Sequence, residues 1–311
     1  MLPRLAGGID KGASMTDRWA SFIAPDESLE GQEHPHLALN VPIRSGYQAY
    51  EHMYEHLGHD PRFDALVAQV RRVDLIYEDQ CSSKYYFDLF RVLNVLSGQY
   101  NRVAEVGVFM GGSALVFAGA MEHFDFDLDL IDISPEHLRF TYERIRRTFP
   151  DAIGRVRLFY GGLPEYAKAV MTGFDPATVK TMIHHDGAHY FSQVVRDLAA
   201  LSFVRDAIHS IICQDTHLRG QVQGQTFVDA AIYAVFGPDF QFAPIGSEYD
   251  AGNTLLMTPN IYGGQYFLPD RPEGMVLPLE SNTFYYPHAS MIIDEFLDQE
   301  RAAAAKAALG E

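Results

Sequence analysis

The chain has 311 residues, 47% of them hydrophobic and 21% charged, a composition that suits a folded globular protein with a sizeable core. Its 24 Lys and Arg stand against 41 Asp and Glu for a formal charge of −17, and the densest basic cluster is Arg144, Arg146 and Arg147, so no nucleic-acid partner is expected. No apolar run reaches the ~18–20 residues of a membrane span, Asp10, Lys11 and Asp17 interrupt any leader-like segment, and Cys81 and Cys213 show neither a disulfide framework nor metal-ligand spacing; the expected compartment is the cytoplasm, with no membrane partner.

Residues 1–46 are rich in Gly, Pro, acids and His without sustained periodicity and read as a flexible arm. Residues 47–100 read as a helical lead-in. Asp60-Pro61 opens one helix, with Phe63, Leu66, Val67 and Val70 at helical spacing. Ser82 or Ser83 caps a second, which carries Tyr86, Leu89, Phe90, Leu93 and Leu96 and stops at Gly98.

From 101 to 259 short apolar strands alternate with helices. Strands are expected at Arg102 to Val108, Leu128 to Ile133, Val156 to Tyr160, Lys180 to His184 and Ser210 to Cys213. Helices follow to about Met121, from Pro135 through Arg147, from Phe191 to Ala200 and near Phe227 to Phe236. This alternation predicts an α/β fold, a Rossmann-like doubly wound, mostly parallel sheet with helical additions at both ends. Phe240 to Pro244 and Thr254 to Met257, joined through a polar turn, are expected to pair as an antiparallel edge hairpin. Residues 260–311 read as a C-terminal extension ending in a helix from Ser290 to Leu309.

The strongest local signal is Val103 to Ser113, where a glycine-rich turn with Gly107 and Gly111 joins the first strand to its helix. Such a turn lets backbone approach a ligand where open α/β sheets bind one, or it serves packing alone. A pyrophosphate would be repelled by Glu105 within this turn, whereas an amine or hydroxyl would be welcome, which points to S-adenosylmethionine rather than NAD. Asp132, ending the second strand, is placed to accept ribose hydroxyls, with Ser134 as the better cap for the helix at Pro135.

The Glu105 turn, Asp132, Asp186-Gly187-Ala188-His189 and Asp215-Thr216 together resemble the class I S-adenosylmethionine-dependent O-methyltransferases, the metal-dependent catechol type and related natural-product enzymes above all. The resemblance spans roughly Cys81 to Pro259. It implies that Glu105, Gly107, Gly111 and Ser113 hold the methionine and ribose part and that Asp132 takes the ribose hydroxyls. Gly162 and Leu163 would lie beside the adenine, where many relatives carry an acid or Ser, leaving contact to backbone and apolar packing. It implies Mg²⁺ on Asp186 and Asp215, with Thr216 at the third ligand position and His217 and Gln214 as substitutes. His189 would be the base in methyl transfer to a small hydroxylated acceptor, phenol or sugar. His184 and His185 are expected to pack locally, Cys213 to lie in the core, and Lys84 to be solvated at a helix start. Tyr47, Tyr50, Tyr54, Tyr85, Tyr86, Phe284, Tyr285 and Tyr286 would roof the site, fill the core or form a dimer contact, and a homo-oligomer is left open. The competing readings are a metal-independent methyltransferase and a catalytically silent cofactor-binding scaffold of the same fold.

Overall fold

The computed structural model describes residues 17–41, 57–72, 81–219, 227–248, 266–268 and 271–299. In chain order the elements are β1 (Ser21–Ile23), α1 (Pro35–Ala38), α2 (Pro61–Val70), α3 (Ser83–Val95), β2 (Arg102–Val106), α4 (Gly112–Ala120), β3 (Asp127–Asp132), α5 (Pro135–Thr148), β4 (Val156–Tyr160) and α6 (Leu163–Ala169). They continue with β5 (Thr181–His185), α7 (Phe191–Ala200), β6 (Ile208–Gln214), β7 (Leu218–Arg219), α8 (Val228–Phe236), β8 (Ala243–Glu248), β9 (Tyr266–Phe267) and β10 (Pro272–Pro278). Residues 293–299 form a last stretch of helix.

Local chemistry explains the helix starts. Asp60 accepts from Arg62 N ahead of Pro61, Ser82 from Tyr85 N, and Ser134 from His137 N ahead of Pro135, each relieving an amide that has no partner within its helix. The eight-stranded sheet runs β1-β4-β3-β2-β5-β6-β10-β8. The pairs β4-β3, β3-β2, β2-β5 and β5-β6 are parallel, whereas β10 is antiparallel to both β6 and β8. The helices fall on two faces. Residues of α2 to α5 share one core with Val103, Leu128, Leu130, Met182 and Ile212, and those of α6 to α8 share another with Ala104, Ile131, Ile183, Ile211 and Cys213. This is the doubly wound arrangement expected, and successive residues of each strand feed opposite cores. Cys213 is fully buried as expected, and burial pushes its thiol up to about 12.

The edge hairpin differs from expectation in its partner. β8 pairs with β10, with a register shift between Pro272 and Gly274, and Thr254 to Met257 lies outside the described residues. Pro at both ends and Gly in the middle disguise β10 as loop, yet each Pro sits at a strand end, where a missing N–H is tolerated. Covered on both faces, it also lacks the alternation that marks a half-exposed strand. The chain segment read as a C-terminal extension thus supplies the strand that closes the sheet. Within the segment read as an arm, β1 pairs antiparallel with β4, and Ala20 N donates to Tyr160 O at 2.8 Å. At the C-terminus, Phe296 and Leu297 pack on Ala199 and Ala200 of α7; the rest of the expected helix, 300–311, lies outside the described residues.

Candidate functional site

A cavity of about 590 Å³ opens at the carboxyl ends of β2 to β5, the crevice where open α/β sheets take ligands. Gly107, Ser113, Asp132, Gly162, Leu163, Asp186 and His189 all line it, as do Trp19, Tyr86, His137, Glu165, Gln193 and Arg196. Motifs far apart in the chain therefore meet in one place.

The turn after β2 needs its glycines for geometry. Gly107 has φ +83°, and a Cβ there would stand 2.3 Å from the Asp186 carbonyl oxygen, whose own amide donates to Val106 O at 2.9 Å. Gly111, at φ +82°, would drive a Cβ into Thr141, 2.8 Å away. Both positions demand a residue without a side chain. The sequence leaves Asp132 free once Ser134 caps the helix, but in the structure its carboxylate is engaged. One oxygen accepts from Val108 N at 2.9 Å and Phe109 N at 3.4 Å, and the other accepts from Ser134 N at 2.8 Å. Burial still raises its carboxyl above the ordinary value. Its oxygens lock the glycine turn to β3 and keep lone pairs for a ligand.

Glu105 departs further from expectation. It is fully buried, accepts a hydrogen bond from the Ser113 hydroxyl, lies 3.6 Å from His184 Nδ1 and is not among the residues lining the cavity. Strand alternation sends its side chain to the same face as Val103, behind the turn. His184 in turn meets the Tyr85 hydroxyl at 2.8 Å, so Glu105 and Ser113 support the turn from inside. His185 packs beside Asp197 at 3.1 Å, matching the expectation of local bonding. Lys84 pairs with Asp88 at 2.5 Å and donates to Gly246 O at 2.9 Å, tying α3 to β8. Tyr85 and Tyr86 are buried, and Phe284 packs on Phe236; Tyr285 and Tyr286 are exposed, and Tyr47, Tyr50 and Tyr54 lie outside the described residues.

At the β5 and β6 ends of the cavity three donors converge. His189 Nε2 lies 2.9 Å from Asp215 Oδ2 and 3.9 Å from Asp186 Oδ1, and one ligand atom from each residue falls within 4.8 Å of the others. Asp186 and His189 line the cavity, and Asp215 stands behind the imidazole. Asp215 has φ +58°, a left-handed conformation that Asp tolerates better than most residues. The approach of Nε2 to Asp215 is close but poorly directed, and Nε2 makes no well-aligned hydrogen bond. Burial pushes the Asp186 carboxyl up to about 6. For His189, burial acts downward, but the Asp215 charge outweighs it with help from Asp186, and the imidazole rises to about 10. Burial also presses Asp215 upward, yet the His189 charge prevails and holds it below the ordinary value. The buried Gln214 amide is assigned with its nitrogen toward the Asp186 carboxylate, because only that orientation gives the acceptor-only oxygens a donor.

Thr216 does not join them. It is fully buried and its hydroxyl donates to Pro272 O at 2.7 Å, because the left-handed turn at Asp215 delivers the next residue to β10 instead. His217 is also outside the converging set, and burial lowers its imidazole to about 4. The third donor is His189 itself. Two carboxylate oxygens and an imidazole nitrogen with no directed partner suit a hard or borderline divalent cation.

Several cavity residues carried no signal in the sequence. Trp19 comes from the segment before β1, His137 from the first turn of α5, and Glu165 and Arg196 from α6 and α7. Only the tertiary arrangement of the helices brings them to the crevice.

No protein-family model matches the chain, and no curated protein matches it. Among solved structures, a putative O-methyltransferase from Klebsiella pneumoniae is 18% identical, with 53% of this chain and 69% of that one covered at a TM-score of 0.37. Cofactor-bound Rv0187 from MTB is 16% identical over 72% of this chain and 92% of its own, at a TM-score of 0.41. An O-methyltransferase from Bacillus cereus, solved with SAH, is 14% identical over 52% and 69%, at a TM-score of 0.37.

Proposed function

We propose that the protein transfers a methyl group from S-adenosylmethionine to a hydroxyl of a small molecule, phenol or sugar in type, with a divalent metal held by Asp186 and Asp215 and with His189 beside them as the base. The observation that carries this reading is the convergence of those three donors beside a cavity walled by the glycine turn and Asp132. S-adenosylmethionine brings an already activated methyl group, so the protein has to align donor and acceptor and remove one proton. A divalent cation, when bound, supplies the charge that acidifies an acceptor hydroxyl.

Asp186 and Asp215 supply hard oxygens, and Gln214 orients the first of them. His189 governs the proton. With both carboxylates unscreened its ring stays protonated up to about pH 10 and cannot accept a proton. Once the carboxylate charge is taken up elsewhere, the ring returns toward its ordinary value near 6.5, and Nε2 becomes available as ligand or as base. The apolar walls, among them Tyr86, Ile131 and Leu163, exclude water from that transfer.

The test is turnover to S-adenosylhomocysteine with a panel of phenols and sugars, with and without EDTA. Activity lost on chelation and restored by Mg²⁺ is the expected result. If EDTA changes nothing while His189→Ala abolishes turnover, the metal is discarded, and so is the protonated ring argued for the unscreened carboxylates, since His189 then acts without a cation. If S-adenosylhomocysteine binds by calorimetry yet no acceptor is methylated, the chain is a silent scaffold.

A further inference from the structure

We propose that Cys81 is a positioning residue for the Asp186 carboxylate, its thiol donating to the Gln214 side chain and so holding that amide in the orientation that gives Asp186 a donor. The consequence for a metal rests on the function proposed above; the geometry does not.

Gln214 closes β6 and is buried, with Asp186 at one end of its amide and Cys81 at the other. An amide presents donors at one end and an acceptor at the other, so its two neighbours have to be complementary. Ionised Asp186 can only accept, and the nitrogen turns to it. The remaining amide atom, 3.0 Å from Cys81 Sγ, is then the oxygen, and the thiol S–H is the group that donates to it. The reverse orientation would set the amide oxygen against the carboxylate oxygens and leave the nitrogen facing sulfur, a weak acceptor. The order thiol, amide, carboxylate satisfies each member in turn.

The backbone explains why thiol and amide stay aligned, because both are tied to neighbouring residues of β10. Gln214 pairs with Gly274 in the antiparallel ladder. Beside it, the buried Glu273 carboxylate accepts from Ser82 N at 2.8 Å and also from the Ser82 hydroxyl, which pins the residue directly after Cys81. Cys81 itself lines the cavity, so its sulfur stands between the start of α3 and the acidic end of the site. Loss of a residue that orients a metal-side carboxylate in this indirect way commonly changes metal affinity by about 10- to 100-fold.

Two measurements test this. The infrared S–H band of Cys81, isolated by subtracting the spectrum of Cys81→Ser from that of wild type, is expected below the frequency of a thiol in apolar solvent, because donation weakens the S–H bond. The same difference taken in a Gln214→Leu background is expected to move the band up. A wild-type band at the apolar-solvent frequency, or one that Gln214→Leu leaves in place, overturns the proposal. Should Gln214→Leu not fold, the wild-type band decides alone, since a sulfur that only accepts leaves its S–H bond unweakened. In calorimetry with Mg²⁺, Cys81→Ala is expected to bind about tenfold more weakly than wild type, and Cys81→Ser, whose hydroxyl still donates, within about threefold of wild type. Unchanged affinity in Cys81→Ala, or equal weakening in both variants, would show that the sulfur only fills space and overturns the proposal. If wild type binds no Mg²⁺, the metal of the proposed function falls while the S–H band still decides the role of Cys81.

Discussion

Asp132 and Asp186 each close a parallel strand of one sheet and line one cavity, yet they are stabilised in opposite ways. Burial raises both carboxyls. At Asp132, three backbone amides answer that penalty from fixed positions, with the His137 ring also 3.9 Å away. At Asp186, together with Asp215, one imidazole within ion-pair distance and the Gln214 amide answer for two carboxylates, and the imidazole's best contact is poorly directed. The first arrangement holds its carboxylate in place without an added cation. The second carries more negative charge than positive, a state that a cation relieves.

The widest separation between the two regions should come from Asp215→Asn. Methyl transfer is expected to fall by about 10³-fold, within the range for loss of acid–base and electrostatic assistance, with S-adenosylhomocysteine affinity kept within about threefold. In the same variant, NMR should show the His189 ring titrating well below about 10, since Asp215 is its strongest upward influence. A ring still titrating near 10 would mean that Asp186 alone holds the proton. Gly107→Ala strikes the contact between the regions, because its Cβ meets the Asp186 carbonyl. A loss of about 3 kcal/mol in urea denaturation is expected from a left-handed position with no room, and a loss under 1 kcal/mol would show that the loops part easily. Asp132→Asn should cost less, about 1–2 kcal/mol, since the amide keeps one accepting oxygen; its kinetic mark is a weaker cofactor KM with kcat nearly unchanged.

A last effect concerns pH. Glu273, buried in β10, accepts from Ser82 N at 2.8 Å and Ser247 N at 3.0 Å, and burial still pushes it up to about 7. A raised carboxyl means the folded chain binds its proton more tightly than the unfolded one. Its contribution is therefore full below the unfolded value near 4.5 and is lost as pH climbs through about 7. His189, raised from 6.5 to about 10, contributes fully below 6.5, and that contribution declines from there until it is gone as pH passes about 10. Thermal midpoints of Glu273→Gln should lack the decline between pH 4.5 and 7 that wild type shows, and an identical decline would assign it to Asp186.

Legibility in the sequence followed the range of the interaction. The caps at Asp60, Ser82 and Ser134, and the parallel strands of the central sheet, rest on contacts within a few residues or on strand composition, and they stand where the pattern puts them. β10 was hidden, because its Pro and Gly content argues for loop while its partners lie far away in the chain. In the site, the order Gly107, Asp132, Asp186, His189 was readable as motif, but the direction of each side chain was not. Glu105 turned inward and Thr216 turned to β10, since strand alternation and one left-handed residue decide direction.

By itself the amino-acid sequence determined the alternation of strands and helices, the positions that must be glycine, and which acids end which strands, because these depend on local sterics and apolar periodicity. Tertiary structure alone decided that His189 stands between two carboxylates, that Asp132 is held by backbone amides, and that Trp19 and Glu165 line the same cavity as Gly162. Those outcomes depend on which buried charge finds which partner, and only the packed chain brings the partners within reach.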